Sequence, residues 1–300
     1  MLYIPFEYDE PLFRPPSEAE SVIFQVTIGC SWNKCAFCEM YSAKQFRVRK
    51  VETIEKEIQS YAKLDPDAKK IFLADGDVMA LSTERLIELL KIVRFYFPKV
   101  RRISTYASPG NLMKKSEKEL QAIHKAGLDL VYVGIESGNE ELLERINKGE
   151  TFETTVRGLI KAQNAGIKTS VMVIIGLGGE LYSEQHAIDS AEAINLIQPD
   201  FLSTLILSFP YGVDHYKKRF KGDFVPMEVK GLLYEMYYFI DHISENQIKK
   251  QIVYRSDHAS NYLVLKGFLP RDKDRFLRKL VFTINQPENA KLRQEWQRGL

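Results

Sequence analysis

Cys30, Cys35 and Cys38 are the only cysteines in the 300-residue chain, and all three fall within nine positions. They lie in Ile28-Gly29-Cys30-Ser31-Trp32-Asn33-Lys34-Cys35-Ala36-Phe37-Cys38, directly after the apolar run Val22–Ile28. Thiolates crowd together in this way when they share a metal or a cluster. Three ligands from one loop can hold three irons of a [4Fe–4S] cluster and leave the fourth iron open to an outside ligand. Zinc is the rival reading, but structural zinc takes four protein ligands and the histidine nearest in sequence is His124. Plain packing of three small hydrophobes does not explain their confinement to one polar loop.

These residues need a scaffold, and the sequence describes one. Short β-branched or apolar runs predict strands at Ser21–Ile28, Lys70–Ala74, Arg101–Tyr106, Leu130–Ile135, Lys168–Ile175 and Phe201–Leu207. Helical patterns fill the gaps at Val51–Leu64, Ser82–Phe97, Lys115–Ala126, Glu140–Asn147, Glu153–Ala165 and Ser183–Ile197. Ser82 and Ser183 suit N-caps, and Gly127 and Gly166 suit C-terminal stops. Six strand–helix units in a row imply the α/β class, with a parallel sheet forming a partial (β/α)6 TIM-like barrel. Such a barrel carries its reactive groups just after the strands. The unusual residues fall there: the cysteines, Asp75-Gly76-Asp77, Tyr106-Ala107-Ser108, Glu136-Ser137-Gly138 and Gly176-Leu177-Gly178-Gly179.

Residues 1–20 read as an N-terminal extension, 21–210 as the barrel and 211–300 as a C-terminal α/β cap. The cap contains a Tyr-rich helix at Met227–Ile243, a short strand at Ile252–Tyr254 and a basic helix at Arg271–Asn285. Its loop Arg255–Tyr262 concentrates Asp257, His258, Asn261 and hydroxyl groups, as substrate-binding loops often do.

A net charge of +2 is too balanced to steer the chain toward nucleic acid or an anionic membrane, although the basic helix at Arg271–Lys279 leans the other way. No apolar run approaches the ~20 residues of a membrane helix, and the acidic N-terminus does not resemble a signal peptide. Three clustered cysteines without a disulfide framework suit the cytoplasm.

Taken together, residues 20–210 resemble the radical S-adenosylmethionine (radical SAM) superfamily, in the branch of coproporphyrinogen oxidases and methylthiotransferases. Cys35-Ala36-Phe37-Cys38 matches the end of that family's cysteine motif, while four residues rather than three separate Cys30 from Cys35. The resemblance implies an oxygen-sensitive enzyme holding a [4Fe–4S] cluster on Cys30, Cys35 and Cys38, with SAM on the open iron. It places Phe37 against adenine, and Asp75-Gly76-Asp77 at the methionine ammonium where relatives carry Gly-Gly-Glu. Glu136 and Ser137 would lie near the nucleoside, Arg145 or Lys148 near the SAM carboxylate, and Ile174 and Gly176 beside adenine. A reduced flavodoxin or ferredoxin type donor and a small-molecule substrate are implied, with His258, Asp257 and Tyr106 as candidate catalytic groups. With no further cysteine, no second cluster can be thiolate-bound. The competing class is a non-catalytic iron–sulfur protein for electron transfer or sensing.

Overall fold

A computed structural model describes residues 5–298. In chain order the elements are β1 (Val22–Gln25), β2 (Thr27–Ile28), β3 (Arg47–Val48), α1 (Val51–Ala62), β4 (Lys70–Ala74), α2 (Thr83–Tyr96), β5 (Arg102–Tyr106), α3 (Pro109–Lys114), α4 (Glu117–Ala126) and β6 (Leu130–Glu136). They continue with α5 (Glu140–Arg145), α6 (Phe152–Asn164), β7 (Lys168–Ile175), α7 (Gly179–Ile197), β8 (Phe201–Ile206), α8 (Val213–Arg219), α9 (Val229–Asp241), β9 (Ile252–Arg255), β10 (Lys266–Leu269) and α10 (Lys273–Asn285). Eight strands form one sheet in the order β1-β4-β5-β6-β7-β8-β9-β10. Strands β1, β4, β5 and β6 pair in parallel, as do β7, β8 and β9, and β10 returns antiparallel to β9. The α/β class with a mostly parallel sheet of eight strands, consistent with a partial TIM-like barrel, is thus observed.

The chain divides into two compact units. The first comprises residues up to 33, 38–133 and 158–169. Strands β1 and β4 are almost wholly buried, which is why they read as continuous runs rather than alternating ones. Helix α2 buries Leu86, Leu89, Leu90 and Val93, and Ser82 caps it by accepting the Arg85 N–H. Helix α4 opens on a capping box between Ser116 and Glu119 and stops at Gly127. Glu18, fully buried, ties the N-terminal segment down by accepting from Arg102, Ser104 and Tyr132.

The second unit comprises 34–37, 134–157 and 170 onward. The segment after residue 210 adds strand β9 parallel to β8, with Phe201 opposite Val253, and then β10.

Several expectations are corrected. The run Ser21–Ile28 is two strands: at Val26 the chain leaves the main sheet, and Thr27 and Ile28 pair with Val48 and Arg47. Ser183 lies inside α7, which starts at Gly179. The first N–H groups of α7 bond to the Gly176 and Val225 carbonyls, so no side-chain cap is required. The helix expected from Lys115 begins at Glu117 and is preceded by α3, hidden by Pro109-Gly110 but capped by Ser108. Helix α8 and strand β10 were not foreseen, being short, charged or Gly-containing.

Candidate functional site

In the first unit, β2 delivers Gly29 and Cys30 to the end of β4, where Asp75-Gly76-Asp77 receives them. Gly76 packs so closely that an added Cβ would sit 2.9 Å from the Cys30 Cα and Cβ and 2.8 Å from the Tyr41 ring. The two acids flank this contact. Asp75 Oδ2 accepts the Gly29 N–H (3.1 Å), the Gln25 amide (3.3 Å) and the Lys44 ammonium (3.3 Å). Asp77 Oδ2 accepts Ser31 Oγ (2.8 Å), Ser108 Oγ (2.9 Å) and Asn111 Nδ2 (2.5 Å). Both neighbours of Cys30 are therefore pinned to fully buried carboxylates.

One acceptor is left over. Asp75 Oδ1 and the Tyr41 hydroxyl are buried without a hydrogen bond of good geometry, the phenol facing the Asp75 carboxylate. An unsatisfied buried carboxylate oxygen is costly, and beside Cys30 it fits an incoming ammonium. Asp77 is more fully engaged: Oδ2 takes three side-chain donors and Oδ1 accepts the Ser108 N–H at 3.4 Å. Burial, together with the Asp75 charge, raises the Tyr41 phenol far above its ordinary value, so it stays protonated. Tyr106 packs edge-on against Phe72 and Tyr132, and burial raises its phenol as well. It serves as a neutral wall there.

In the second unit, the segment holding Cys35 and Phe37 is gripped through its backbone. Asn147 Nδ2 donates to the Lys34 carbonyl (3.1 Å), Arg219 Nη2 to the Cys35 carbonyl (2.6 Å), and the Ala36 N–H to Ile146 O (2.8 Å). Ala36 is buried among Leu142, Leu177, Tyr216 and Phe224, with Phe37 and Ile174 packed against the same cluster. Lys148 joins the rest: its Nζ lies 3.0 Å from Glu136 Oε1 and 5.6 Å over the Phe37 ring. Glu136 has a left-handed φ of 65°, which turns its carboxylate back over Gly134. A Cβ on Gly134 would meet that carboxylate at 1.9 Å.

Of the two basic candidates, Lys148 joins this group. Arg145 turns away to Glu141 and the Lys221 carbonyl and stacks on Tyr182.

Ser137 is almost fully buried and 2.7 Å from His186 Nδ1. His186 Nε2 lies 3.0 Å from the Ile174 carbonyl, so it carries the proton and Nδ1 accepts from Ser137. The Ser137 hydroxyl proton is thus spent inward. Burial lowers His186 to about 4, keeping it neutral, and raises Glu235 to about 7. Glu235 accepts the Gly176 N–H at 2.6 Å. His186 and Glu235 brace the ends of β6 and β7, and neither was expected. Glu235 had left a trace, as a lone acid on the apolar face of Leu232, Met236 and Phe239.

In the same unit, His258 Nδ1 accepts the Ser260 N–H (3.2 Å) and contacts Ser260 Oγ (2.9 Å). Burial, then Arg293, lowers its pKa. His258 is therefore a neutral imidazole whose proton sits on Nε2. Asp257 pairs with Lys266 at 2.8 Å, and Arg293 holds the loop by the Asp257, His258 and Asn261 carbonyls.

The three cysteines are half-buried and form no disulfide. Among the described residues no three His, Cys, Asp or Glu side chains converge on one metal ion. A single ion needs its ligands within ~2.3 Å of one point, whereas a cubane spreads three thiolates over three irons.

The sequence profile of the Radical SAM superfamily matches residues 24–191, more than half of the chain. The chain belongs to the radical SAM superfamily. Members use a [4Fe–4S] cluster and S-adenosylmethionine, and this chain is an enzyme of that class. It is 22% identical over 310 residues to an uncharacterized protein of Methanocaldococcus jannaschii, covering 99% of this chain and 84% of that one. The heme chaperone HemW of Bacillus subtilis is 24% identical over 165 residues, 54% of this chain and 44% of HemW. This radical SAM chain thus spans less than half of HemW.

Among solved structures, coproporphyrinogen III oxidase (HemN) of Escherichia coli superposes with a TM-score of 0.58 at 18% identity, over 74% of this chain and 52% of that one. Methylornithine synthase (PylB) does so at 0.51 and 16%, over 88% and 81%. At these identities the likeness concerns the fold. Among the described residues no helix is long and apolar enough to cross a membrane.

Proposed function

We propose that Cys30, Cys35 and Cys38 hold the [4Fe–4S] cluster, and that the enzyme acts on a small organic substrate. The observation that supports this reading is the fully buried Asp75 carboxylate, whose Oδ1 has no well-formed hydrogen bond and whose neighbour Gly76 packs against Cys30; we assign it to the SAM ammonium. When bound, the cluster and SAM would supply the reductive, hydrogen-abstracting chemistry, with Cys30, Cys35 and Cys38 holding the cluster.

The protein's share is placement. Asp75 accepts the ammonium in a site already desolvated, where a charge-assisted bond is strong. Phe37 and Ile174, on one apolar cluster, offer a face for adenine. Lys148 sets the Glu136 carboxylate for ribose hydroxyls. Ser137, with its proton committed to His186, positions the loop rather than donating to the nucleoside. His258, neutral with its proton on Nε2, is a hydrogen-bond donor for substrate and is not a general base. A low-potential donor of the flavodoxin or ferredoxin type supplies the electron. The near-zero net charge supports a small molecule over nucleic acid as substrate.

Anaerobic reconstitution with iron and sulfide tests the reading. The expected product is a brown protein with about four irons per chain, whose spectrum changes on adding SAM and which forms 5′-deoxyadenosine with dithionite. Cys38→Ala should abolish that product. Undiminished cleavage in the variant, or a cluster indifferent to SAM, would overturn the reading, the latter in favour of an electron-transfer protein.

A further inference from the structure

We propose that Glu235 of α9 is a positioning residue for SAM: it fixes the peptide at Gly176 and so sets the loop after β7 against which the nucleoside rests. The inference rests on the nucleoside reading above, in which Ile174 offers a face for adenine. Glu235 is fully buried, and its Oε1 accepts the Gly176 N–H at 2.6 Å. The two residues are 59 positions apart in sequence, so the acceptor comes from outside the loop.

Other contacts seat the same loop. Gly176 has a left-handed φ of 83°, and an added Cβ there would lie 2.6 Å from Leu232 Cδ2. Leu232 precedes Glu235 by three residues and so shares its face of α9. Ahead of α9, the Val225 carbonyl accepts the Glu180 N–H at 2.9 Å. On the other side of Ile175, His186 Nε2 donates to the Ile174 carbonyl at 3.0 Å. Packing and peptide bonding thus agree on one loop conformation, with Glu235 as the side-chain acceptor.

An amide or a backbone carbonyl would satisfy the Gly176 N–H equally well. A carboxyl adds a proton equilibrium. The groups facing it are the Gly176 N–H, the Ser183 hydroxyl and the His186 imidazole, 3.5 Å away. Burial keeps His186 neutral near pH 7, and among the described residues no Lys or Arg pairs with Glu235. Leu232, Met236 and Phe239 make the rest of that helix face apolar. Neutral, the carboxyl accepts the Gly176 N–H within the closed packing. Ionised, it is an uncompensated buried charge, relieved only when α9 or the loop gives way to water. Because burial raises Glu235 to about 7, the loop is best formed below that pH and SAM binds more tightly there.

The test compares wild type, E235Q and E235M, each reconstituted anaerobically with iron and sulfide. Calorimetry reads SAM binding at about pH 6 and about pH 8, on either side of the Glu235 titration. E235Q keeps an acceptor for Gly176 without the titration, and the ionisation of SAM itself cancels between the two proteins. Wild type should lose up to about tenfold more affinity than E235Q between those pH values. E235M leaves the Gly176 N–H unpaired and should bind SAM about tenfold more weakly than E235Q at the lower pH. A merely structural acceptor would move the urea midpoints and leave the affinity of the folded protein alone. Parallel profiles for wild type and E235Q, or E235M binding as E235Q does, would overturn the inference. Should E235M fail to fold, the wild-type and E235Q profiles decide. Wild type that takes up iron but ignores SAM at both pH values would instead refute the nucleoside reading, so the two failures are distinguishable.

Discussion

The chain around Cys30 and the chain around Cys35 are held by opposite chemistry. Beside Cys30, buried carboxylates receive: Asp75 takes the Gly29 N–H and Asp77 takes the Ser31 hydroxyl. Beside Cys35, carbonyls receive: Lys34 O takes the Asn147 amide and Cys35 O takes the Arg219 guanidinium. The first anchor is anionic and joins the loops after β2, β4 and β5, with partners 31 to 46 residues apart in sequence. The second is cationic and depends on a helix far downstream. Only four residues separate the two cysteines in sequence, yet their supports were assembled from unrelated parts of the chain. Rigid placement of metal ligands by such outer contacts is what keeps a site productive.

The comparison can be broken most forcefully at Asp77. Asp77→Ala should strand the donors of Ser31, Ser108 and Asn111 and cost about 3 kcal/mol, with reduced iron uptake. Urea melts of the iron-free protein and an iron count check both, and a variant that melts like wild type would remove the carboxylate anchor from the account.

A comparable effect is expected from titration at the Glu235–His186 brace. Glu235 is raised to about 7 by burial, so the native state holds its proton more tightly than the unfolded chain. Its contribution to stability therefore falls as pH rises from about 4.5 to 7, by up to about 3 kcal/mol. E235Q should gain on wild type across that window. His186 is lowered to about 4, so the unfolded chain binds the proton first and stability falls as pH drops from 6.5 toward 4. H186N should lose less than wild type over that range. Parallel stability curves for the variants and wild type would show that neither group titrates as buried.

A smaller effect separates the two basic candidates. Lys148→Met should weaken SAM binding about tenfold by releasing Glu136 and exposing Phe37. Arg145→Ala, which loses an exposed i,i+4 pair with Glu141, should leave it within about twofold. Calorimetry on the cluster-loaded protein reads both. The reverse ranking would transfer the role to Arg145.

Much of this was legible in the residues. Strands β4 and β7 occupy the expected Lys70–Ala74 and Lys168–Ile175, because each carries an apolar run, Ile71–Ala74 and Val171–Ile175, of the kind parallel strands bury. The cysteines, Asp75-Gly76-Asp77, Glu136-Ser137 and Gly176 stood out as polar or glycine residues directly after such runs. Their individual duties were less legible. Asp75 and Asp77 look interchangeable in sequence, but Asp77 bonds on both oxygens whereas Asp75 bonds well on Oδ2 alone. Ser137 looked like a ligand group until His186, 49 residues away, claimed its proton. Arg145 and Lys148 could not be ranked from a helical pattern that places both near its end.

The sequence alone determined the chemistry available and the order of the sheet, because ligand type and strand periodicity are local properties of the chain. Tertiary structure decided which groups are spent and which remain able to bind, because that depends on which donors reach a buried oxygen. Glu136 folds over Gly134 toward Lys148, Gly76 admits Cys30, and Arg219 reaches Cys35 from 184 residues away. Contacts of that kind carry no signature in the local spacing of residues.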